Sequence, residues 1–275
     1  MSSRIIPKAH FSVKTVLDKL INLNNVRVVL SHTTHPGNIG AAARAMKTMG
    51  LAHLYLINPQ YLINPQRFPD RQAEAMAAGA DDVLQNAVIC SSLDEALHGA
   101  VLVAGMSARV RDISQEVFAP RVAMSMMMEQ AAAHPVALLF GTEMSGLTND
   151  EMARCQFMVC IPANPEYSSL NLAAAVQLMS YELRLAAVKG AVEPGKRAAP
   201  ELVPAPAEQV ERYFKHLEET LTEIGFLRDK QSTKLMYKLR RLYARARLEQ
   251  EEVNILRGIL TLTMQYHAKL KQKSE

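Results

Sequence analysis

The sequence predicts an α/β protein in which a mostly parallel sheet is covered by helices on both faces and followed by a small all-helical C-terminal extension. Up to about residue 188, short β-rich runs alternate with helical stretches, as is typical of parallel strands joined by crossover helices. Beyond residue 207 the spacing of apolar residues is helical throughout. These two observations predict the fold class.

The predicted strands are buried runs such as "VRVVLS" and "PVALLFG", and the helices between them carry recognisable end signals. Gly50 is placed to end the first helix, and Ser92–Glu95 and Thr148–Glu151 have capping-box spacing. In chain order the predicted strands are 26–31, 53–58, 87–91, 100–106, 135–141 and 157–162. The predicted helices are 39–50, 71–80, 93–99, 121–133, one that follows Thr148, and 169–188.

These patterns divide the chain into four segments. Residues 1–25 form an N-terminal extension, and residues 26–188 form the α/β domain. The stretch "GAVEPGKRAAPELVPAPA" has four prolines, two glycines and no periodicity, so residues 189–207 are predicted to be a linker. Residues 208–275 form the helical C-terminal region.

A perfect tandem repeat, "YLINPQYLINPQ", follows the second predicted strand. Because six is an even number, either copy presents the same residues to the same face of a strand. One copy, Tyr55–Gln60, completes the strand and its turn. The second copy, Tyr61–Gln66, is predicted to lengthen a surface loop and to be dispensable.

Composition predicts a cytosolic protein with no membrane anchor and no metal site. No apolar run approaches the roughly 20 residues that span a bilayer. Three cysteines without a CxxC pair predict buried free thiols rather than disulfides. His32 and His35 lie three residues apart but have no third ligand at a useful spacing, which favours ordinary loop histidines.

The positive charge of the chain is concentrated near its C-terminus. The net charge is +4, yet residues 228–247 contain eight basic residues and one acid. At helical spacing four of them share one face, which predicts a polyanionic partner. Tyr237 and Tyr243 lie beside this row and could stack on unpaired bases. The row consists of Lys234, Lys238, Arg241 and Arg245.

Three loops follow the carboxyl ends of predicted strands, where parallel sheets bind their ligands. They contain the stretches "SHTTHPGNIGAAARAMKTMG", "LLFGTEMSGLTNDE" and "CIPANPEYSSLNLAAAVQLMSYELR". Each loop taken singly is compatible with an ordinary turn. Together, and in this order, they resemble the three signature motifs of the SPOUT superfamily of RNA methyltransferases over roughly residues 26–188. The likeness is to its TrmH-type ribose 2′-O branch.

Further stretches extend this resemblance to the TrmJ-type tRNA methyltransferases, which modify the ribose of nucleotide 32 in the anticodon loop. They are "NPEYSSLNLA", the "SAR" that follows the fourth strand, and the basic helical tail. The resemblance implies a deep trefoil knot, S-adenosylmethionine as cofactor, tRNA as partner and a homodimer packed through the knot helices. The apolar face of the helix at 170–188 would supply the dimer surface.

The same resemblance assigns roles to individual residues. Arg44 and Asn38 would be catalytic, and Arg109 would join the basic row in binding RNA. A guanidinium keeps its proton, so we expect Arg44 to anchor a phosphate and stabilise alkoxide charge rather than act as a base. The residues expected to bind the cofactor are Met106, Ser107, Ala108, Gly141, Ile161, Ser168, Ser169 and Leu170.

Some alternatives stay open at the level of sequence. Glu143 and Asn171 face the pocket in the motif pattern, although Glu143 could equally be a solvated loop acid. The closest rival function is a ribosomal RNA ribose methyltransferase of the same branch. The others are a non-catalytic knotted RNA-binding protein and a base-methylating knot enzyme.

Overall fold

The computed structural model describes residues 23–58, 69–108, 115–192, 203–227 and 232–274. Within these ranges, seven strands form one sheet in the order β3-β2-β1-β6-β4-β7-β5, and every neighbouring pair is parallel. The strands are β1 Val26–Ser31, β2 His53–Ile57, β3 Val88–Cys90, β4 Leu102–Met106, β5 Val117–Phe118, β6 Val136–Phe140 and β7 Phe157–Val159.

A short 3₁₀ turn at Leu23–Asn25 precedes the sheet, and ten α-helices are described. The predicted α/β architecture and the all-helical C-terminal region are confirmed; the threading of the chain into a knot stays a prediction. The helices are α1 Pro36–Met49, α2 Arg71–Ala77, α3 Asp81–Gln85, α4 Leu93–Leu97, α5 Pro120–Ala131, α6 Asn149–Ala153, α7 Leu172–Val192, α8 Ala207–Glu223, α9 Ser232–Ala246 and α10 Gln250–Ser274.

The central strands are buried on both faces. Val28, Leu30 and Phe140 point to one face, where α1, α2, α5 and α7 supply the rest of a large apolar core. Val29 and Leu139 point to the other face and pack with α4 and α6. Alternate residues thus enter opposite layers, which explains why these strands read as continuous apolar runs.

The strand order brings the predicted motif loops together. β6 lies between β1 and β4, and β7 lies beside β4. All of these strands run in the same direction, so the loops that leave them emerge at one edge of the sheet. The loops after β1, β4, β6 and β7 are therefore neighbours, although more than a hundred residues separate the first of them from the last.

The local end signals are largely confirmed. Gly50 ends α1 in the left-handed region with φ of 86°, and Thr148 and Glu151 form a complete capping box at α6. At α4 only half of the predicted box is present. The Ser92 hydroxyl accepts from the Glu95 amide, but the Glu95 carboxylate accepts from the amide and hydroxyl of Ser91 instead.

The predicted linker is shorter than expected at both described ends. Helix α7 continues to Val192, since helical residues persist until the chain approaches Pro194, and the position before a proline disfavours helix. At the other end, Ala205 donates a 2.9 Å backbone hydrogen bond to Leu248. Val203 accepts a 3.0 Å bond from Gln250 in the same way, so this part of the chain is ordered against the start of α10.

Helices α8, α9 and α10 form a unit with its own core, to which Tyr213, Phe214 and Met236 contribute. An ionic network joins this unit to the α/β domain. The Glu211 carboxylate accepts from both terminal nitrogens of Arg240 at 2.7 Å and lies 3.0 Å from Arg154 of the α/β domain. The helical unit is thereby fixed against the loop that follows α6.

The cysteines are free thiols, as predicted, but only two of them are buried. Burial raises the pKa of the Cys90 thiol to about 11 and also raises the pKa of Cys155, whereas Cys160 is half-buried. No described helix is long and apolar enough to cross a membrane. Strand β5 and helix α3 were not predicted, because two residues and five residues are too short to show a period.

Candidate active site at the carboxyl edge of the sheet

The loops that follow β4, β6 and β7 enclose a cavity of about 360 Å³. Its walls combine apolar side chains, with Phe140, Ile161 and Leu172 among them, with the hydroxyl groups of several serines and a threonine, and Glu143 provides a carboxylate. A cavity of this size and character suits a nucleoside with a short polar tail. All eight residues that were expected to bind the cofactor line it: Met106, Ser107, Ala108, Gly141, Ile161, Ser168, Ser169 and Leu170.

The loop after β6 is a tight turn that only glycine allows. Thr142 and Gly146 exchange two backbone hydrogen bonds of 2.9 and 3.2 Å, and Gly146 has φ of 70°. A Cβ atom on Gly141 would lie 2.1 Å from the carbonyl carbon of Gly146. The main chain that approaches Gly141 so closely thus belongs to the same loop.

A chain of side-chain hydrogen bonds connects the three motif loops. Asn38, in the first turn of α1, donates to Glu143 Oε1 at 3.0 Å. Its own Oδ1 accepts from Asn171 Nδ2, also at 3.0 Å. Glu143 Oε2 in turn accepts from the amide and hydroxyl of Thr34 at 3.2 and 3.1 Å. One residue from each loop therefore takes part in a single network.

Glu143 is a structural acceptor rather than a solvated loop acid. Burial by itself would raise the pKa of this carboxyl, but the hydrogen bonds from Asn38 and Thr34 outweigh burial and hold its pKa below the ordinary value of 4.5. The group is therefore ionised near neutral pH. An ionised carboxylate accepts only, which fixes the Asn38 amide with its nitrogen toward Glu143 and its oxygen toward Asn171.

Asn171 also starts the long helix α7. Its Oδ1 accepts from the backbone amides of Ala173 and Ala174 at 2.9 and 3.4 Å, as an N-cap side chain does. Its Nδ2 donates to Asn38. Ser168 and Ser169, which precede Asn171 in the same loop, lie in the cavity wall.

Arg44 lies on the exposed face of α1 and does not line the cavity. Among the described residues it has no ion pair, so its guanidinium is available to an anionic partner. Arg109, the other predicted arginine contact near this edge, falls outside the described residues.

A second polar cluster lies at the end of β1 and was missed by the sequence analysis. The buried Ser31 hydroxyl donates to Glu151 and lies 2.8 Å from His32 Nδ1, while His32 itself has φ of 50°. Glu151 was recognised only as a cap, because 120 residues separate it from Ser31 and the pairing is visible only after folding. Among the described residues there is no cluster of metal-binding side chains.

The predicted basic row lies on the solvent-facing side of α9. All four of its side chains, Lys234, Lys238, Arg241 and Arg245, are exposed. Both neighbouring tyrosines are half-buried and have partners inside the protein, and their stacking on bases stays a prediction. Tyr243 packs edge-on against Tyr213, and the Tyr237 hydroxyl donates a 2.5 Å hydrogen bond to Asp150, which raises its pKa.

Comparison with known proteins agrees with this geometry. Residues 25–181 match the SpoU rRNA methylase family, and residues 208–274 match the C-terminal domain of the tRNA methyltransferase TrmJ. The tRNA (cytidine/uridine-2′-O-)-methyltransferase TrmJ of Pectobacterium atrosepticum is 49% identical, over 89% of this chain and 99% of the relative. That of Salmonella choleraesuis is 52% identical, over 86% and 96%.

Two solved structures of full length are also similar. TrmJ from Z. mobilis has a TM-score of 0.74 and 32% identity, covering 86% of this chain and 97% of that one. A probable methylase family protein from Haemophilus influenzae has a TM-score of 0.58 and 41% identity, covering 89% and 97%.

The fold, the motif loops and these matches define an RNA methyltransferase with the SPOUT fold, and the chain belongs to the SpoU rRNA methylase family. The curated relatives named above are TrmJ enzymes, and the match to their C-terminal domain covers the helical unit. Enzymes of the SpoU family use S-adenosylmethionine, and a cavity that combines apolar side chains with hydroxyl groups and one carboxylate fits an adenosyl group that carries a cationic tail.

Proposed function

We propose that this protein methylates the ribose 2′-hydroxyl of a cytidine or uridine in tRNA, at nucleotide 32 of the anticodon loop. The observation that carries the proposal is the network of Asn38, Glu143 and Asn171, which ties the three motif loops together beside the cavity. The close relatives over nearly the full chain are named for 2′-O-methylation of cytidine and uridine in tRNA. The choice of nucleotide 32 rests on the resemblance in the motif loops.

The residues around the cavity suit a reaction controlled by position. When bound, S-adenosylmethionine supplies an electrophilic methyl group on a sulfonium centre. The residues of the site must hold a ribose hydroxyl in line with that methyl group. Correct orientation of the two reacting groups can account for a large part of a methyl-transfer rate. We assign to the cavity wall, from Met106 to Leu170, the binding of the adenosyl group.

Arg44 has the properties required of an RNA anchor. Its guanidinium is exposed on α1, the helix that also contains Asn38. A guanidinium can bind a phosphate through two parallel hydrogen bonds and can stabilise negative charge that develops on the ribose oxygen. It does not remove the proton, because a guanidinium stays charged in proteins.

Asn38 is proposed to act at the same place. One hydrogen of its amide is used by Glu143, and its oxygen is used by Asn171. The second amide hydrogen has no acceptor among the described residues and could be donated to the nucleotide. Glu143 and Asn171 would then be positioning residues, because they act on the substrate only by fixing Asn38.

The helical unit is proposed to bind the body of the tRNA. The row Lys234, Lys238, Arg241 and Arg245 faces solvent, and such a row attracts phosphates whatever the base sequence. We further propose a homodimer through the knot region, since α7 leaves Leu178, Tyr181 and Leu185 exposed on its outward side. We propose the cytoplasm as the location of the enzyme, because a tRNA substrate is found there.

The decisive experiment is to methylate purified tRNA with labelled S-adenosylmethionine and digest the product to nucleosides. We expect 2′-O-methylcytidine and 2′-O-methyluridine, mapped to nucleotide 32. A labelled base, or label in ribosomal RNA fragments but not in tRNA, would contradict the proposal. Binding of tRNA without any transfer would point to the non-catalytic alternative.

A further inference from the structure

The outward face of helix α10 carries a continuous row of large apolar side chains. They recur at intervals of four, three, four and four residues, and each side chain is between 47% and 67% exposed. At 1.5 Å per residue the row is about 22 Å long. This α10 stripe consists of Ile255, Ile259, Leu262, Tyr266 and Leu270.

The stripe is not part of the core of the helical unit. The opposite face of α10 already packs against α8, where Val253 and Leu260 are buried. In the part of the chain that the structure describes, Ile255, Ile259, Leu262 and Tyr266 are all more than half exposed. A soluble chain seldom leaves so long an apolar surface open unless it binds something.

The charges at the two ends of the stripe indicate what binds there. Glu251 precedes the stripe and Lys269 lies near its other end, and at 100° per residue both fall within about 60° of its axis. Both side chains are exposed. A parallel copy of the helix would bring like charges together, whereas an antiparallel copy brings each acid toward a lysine.

The residues in the middle of the stripe indicate how two antiparallel copies of α10 would be aligned. With Leu262 on a twofold axis, Tyr266 of one copy lies level with Gly258 of the other, on the flank of its stripe. A Cβ atom on Gly258 would meet nothing within 4 Å, so there is open space for an aromatic ring. In the same register Lys269 lies about one helical turn from the acidic end of the other helix.

We propose that α10 is a self-association surface on which a second copy of this chain binds antiparallel, centred on Leu262. The occupant is a protein helix rather than RNA, because the central positions of the stripe carry no cation and the basic row lies on α9. This contact is distinct from the dimer proposed through α7 and links such dimers into a larger assembly. It holds whether or not the proposed methylation is correct.

A single helix pair lies at the small end of protein interfaces, so the association should depend on concentration in the micromolar range. Sedimentation of the full-length protein at increasing concentration should show a species that Leu262→Glu cannot form. Since this variant places two like charges on the twofold axis, we expect association at least about tenfold weaker. Val122→Glu, at an apolar position on α5 that is also more than half exposed, is the control and should leave the association unchanged.

A charge swap tests the antiparallel arrangement itself. Glu251→Lys and Lys269→Glu should each weaken association by roughly three- to tenfold, and the double variant should restore it. The two residues are about 27 Å apart along one helix, so only a contact between copies can produce the rescue. Equal sedimentation of the wild type and Leu262→Glu at every concentration, or a double variant as weak as the single ones, would overturn the proposal. Thermal melting of each variant checks that it is folded.

Discussion

The side-chain amide of Asn38 donates a 3.0 Å hydrogen bond to Glu143, which joins two loops that are 105 residues apart in the sequence. The same amide accepts from Asn171, so its orientation is set from both sides. Replacement of one acceptor oxygen in this network should therefore disturb the site without disturbing the fold.

We predict that Glu143→Gln lowers kcat by about 100-fold, the order of effect expected when a reacting group is misplaced by about 1 Å. The glutamine can present its nitrogen to Asn38 or Thr34, both of which donate in the native protein. Steady-state methylation of tRNA measures the loss. Glu129→Gln, an exposed acid on α5, should retain full activity. A Glu143→Gln enzyme as active as the wild type would contradict the positioning role.

The pH dependence of this network follows from the lowered pKa of Glu143. A carboxyl whose pKa is lower in the folded protein than in the unfolded chain stabilises the fold above the ordinary value, and that contribution disappears as the pH falls through the lowered pKa. The network should thus be intact from neutral pH down to 4.5 and lost only below it. Unfolding of the wild type and of Glu143→Gln, compared at a series of pH values, should show a difference at pH 7 that shrinks only as the pH falls below 4.5.

Arg44 is predicted to act on RNA and not on the cofactor. Arg44→Ala should reduce kcat by about 100-fold or more, because an anion-stabilising group is lost. Arg44→Lys should recover little of it, since an ammonium cannot bind a phosphate through two parallel bonds. Calorimetry with S-adenosylmethionine should give the wild-type affinity for both variants. Loss of cofactor binding in Arg44→Ala would place the residue elsewhere in the mechanism.

Gly141→Ala should damage the cavity. The added methyl group would overlap the backbone of Gly146, which must move, and overpacking of this kind destabilises by about 1–3 kcal/mol. Weaker binding of S-adenosylmethionine should accompany a lower Tm. The matched control is Gly258→Ala on α10, where nothing lies within 4 Å and a helical alanine should add about 0.5–1 kcal/mol of stability. Equal effects of the two substitutions would contradict the steric argument.

The basic row on α9 is predicted to act through phosphates. Replacement of Lys234, Lys238, Arg241 and Arg245 by alanine should weaken tRNA binding and make it less sensitive to salt. The slope of log K against log salt should fall by roughly 3, at about 0.7 for each single-stranded phosphate contact. Filter binding between low and moderate salt measures the slope. An unchanged slope would show that these residues do not contact the phosphates.

Glu211 is predicted to hold the helical unit against the α/β domain. Its carboxylate lies between the guanidinium groups of Arg154 and Arg240, which are only 14% and 15% exposed. Glu211→Gln leaves both guanidinium groups with a weaker acceptor. We expect it to lower the free energy of unfolding in urea by about 1–3 kcal/mol, which is less than for a fully buried ion pair because solvent screens these partly exposed groups. Glu223→Gln, which breaks the exposed pair with Lys271, should cost less than about 1 kcal/mol.

The arrangement of the loops around the cavity could be predicted, because it follows from the order of strands and helices along the chain. Strands that alternate with helices place their loops at one edge, and this is why residues as distant as Met106, Gly141 and Ser168 line one cavity. The hydrogen-bond network between the loops could be predicted only in part. Glu143 and Asn171 were recognised as pocket residues, but the pairing of Glu143 with Asn38 depends on a geometry that spacing does not contain.

Three side chains of the basic segment have partners that the sequence pattern does not show. Helical spacing places Tyr237 and Tyr243 beside the basic row, but it does not reveal which side chains another domain covers. In the fold Tyr243 completes an aromatic cluster and Tyr237 binds Asp150 of α6. Arg240 was likewise counted with the basic segment, whereas its charge is neutralised by Glu211. Packing within the helical unit therefore decided the positions of Tyr243 and Arg240, and a contact between the two domains decided that of Tyr237.

The double use of Asn171 has a consequence for how this protein can vary. An aspartate at this position could still cap α7 through its oxygens, but it has no hydrogen to give to Asn38. A serine could cap the helix, yet its short side chain would not span the gap between the loops. The requirement for one particular amide thus couples the start of the longest helix in the α/β domain to the contact between the motif loops. A substitution of Asn171 that weakens one of these contacts would therefore also change the other.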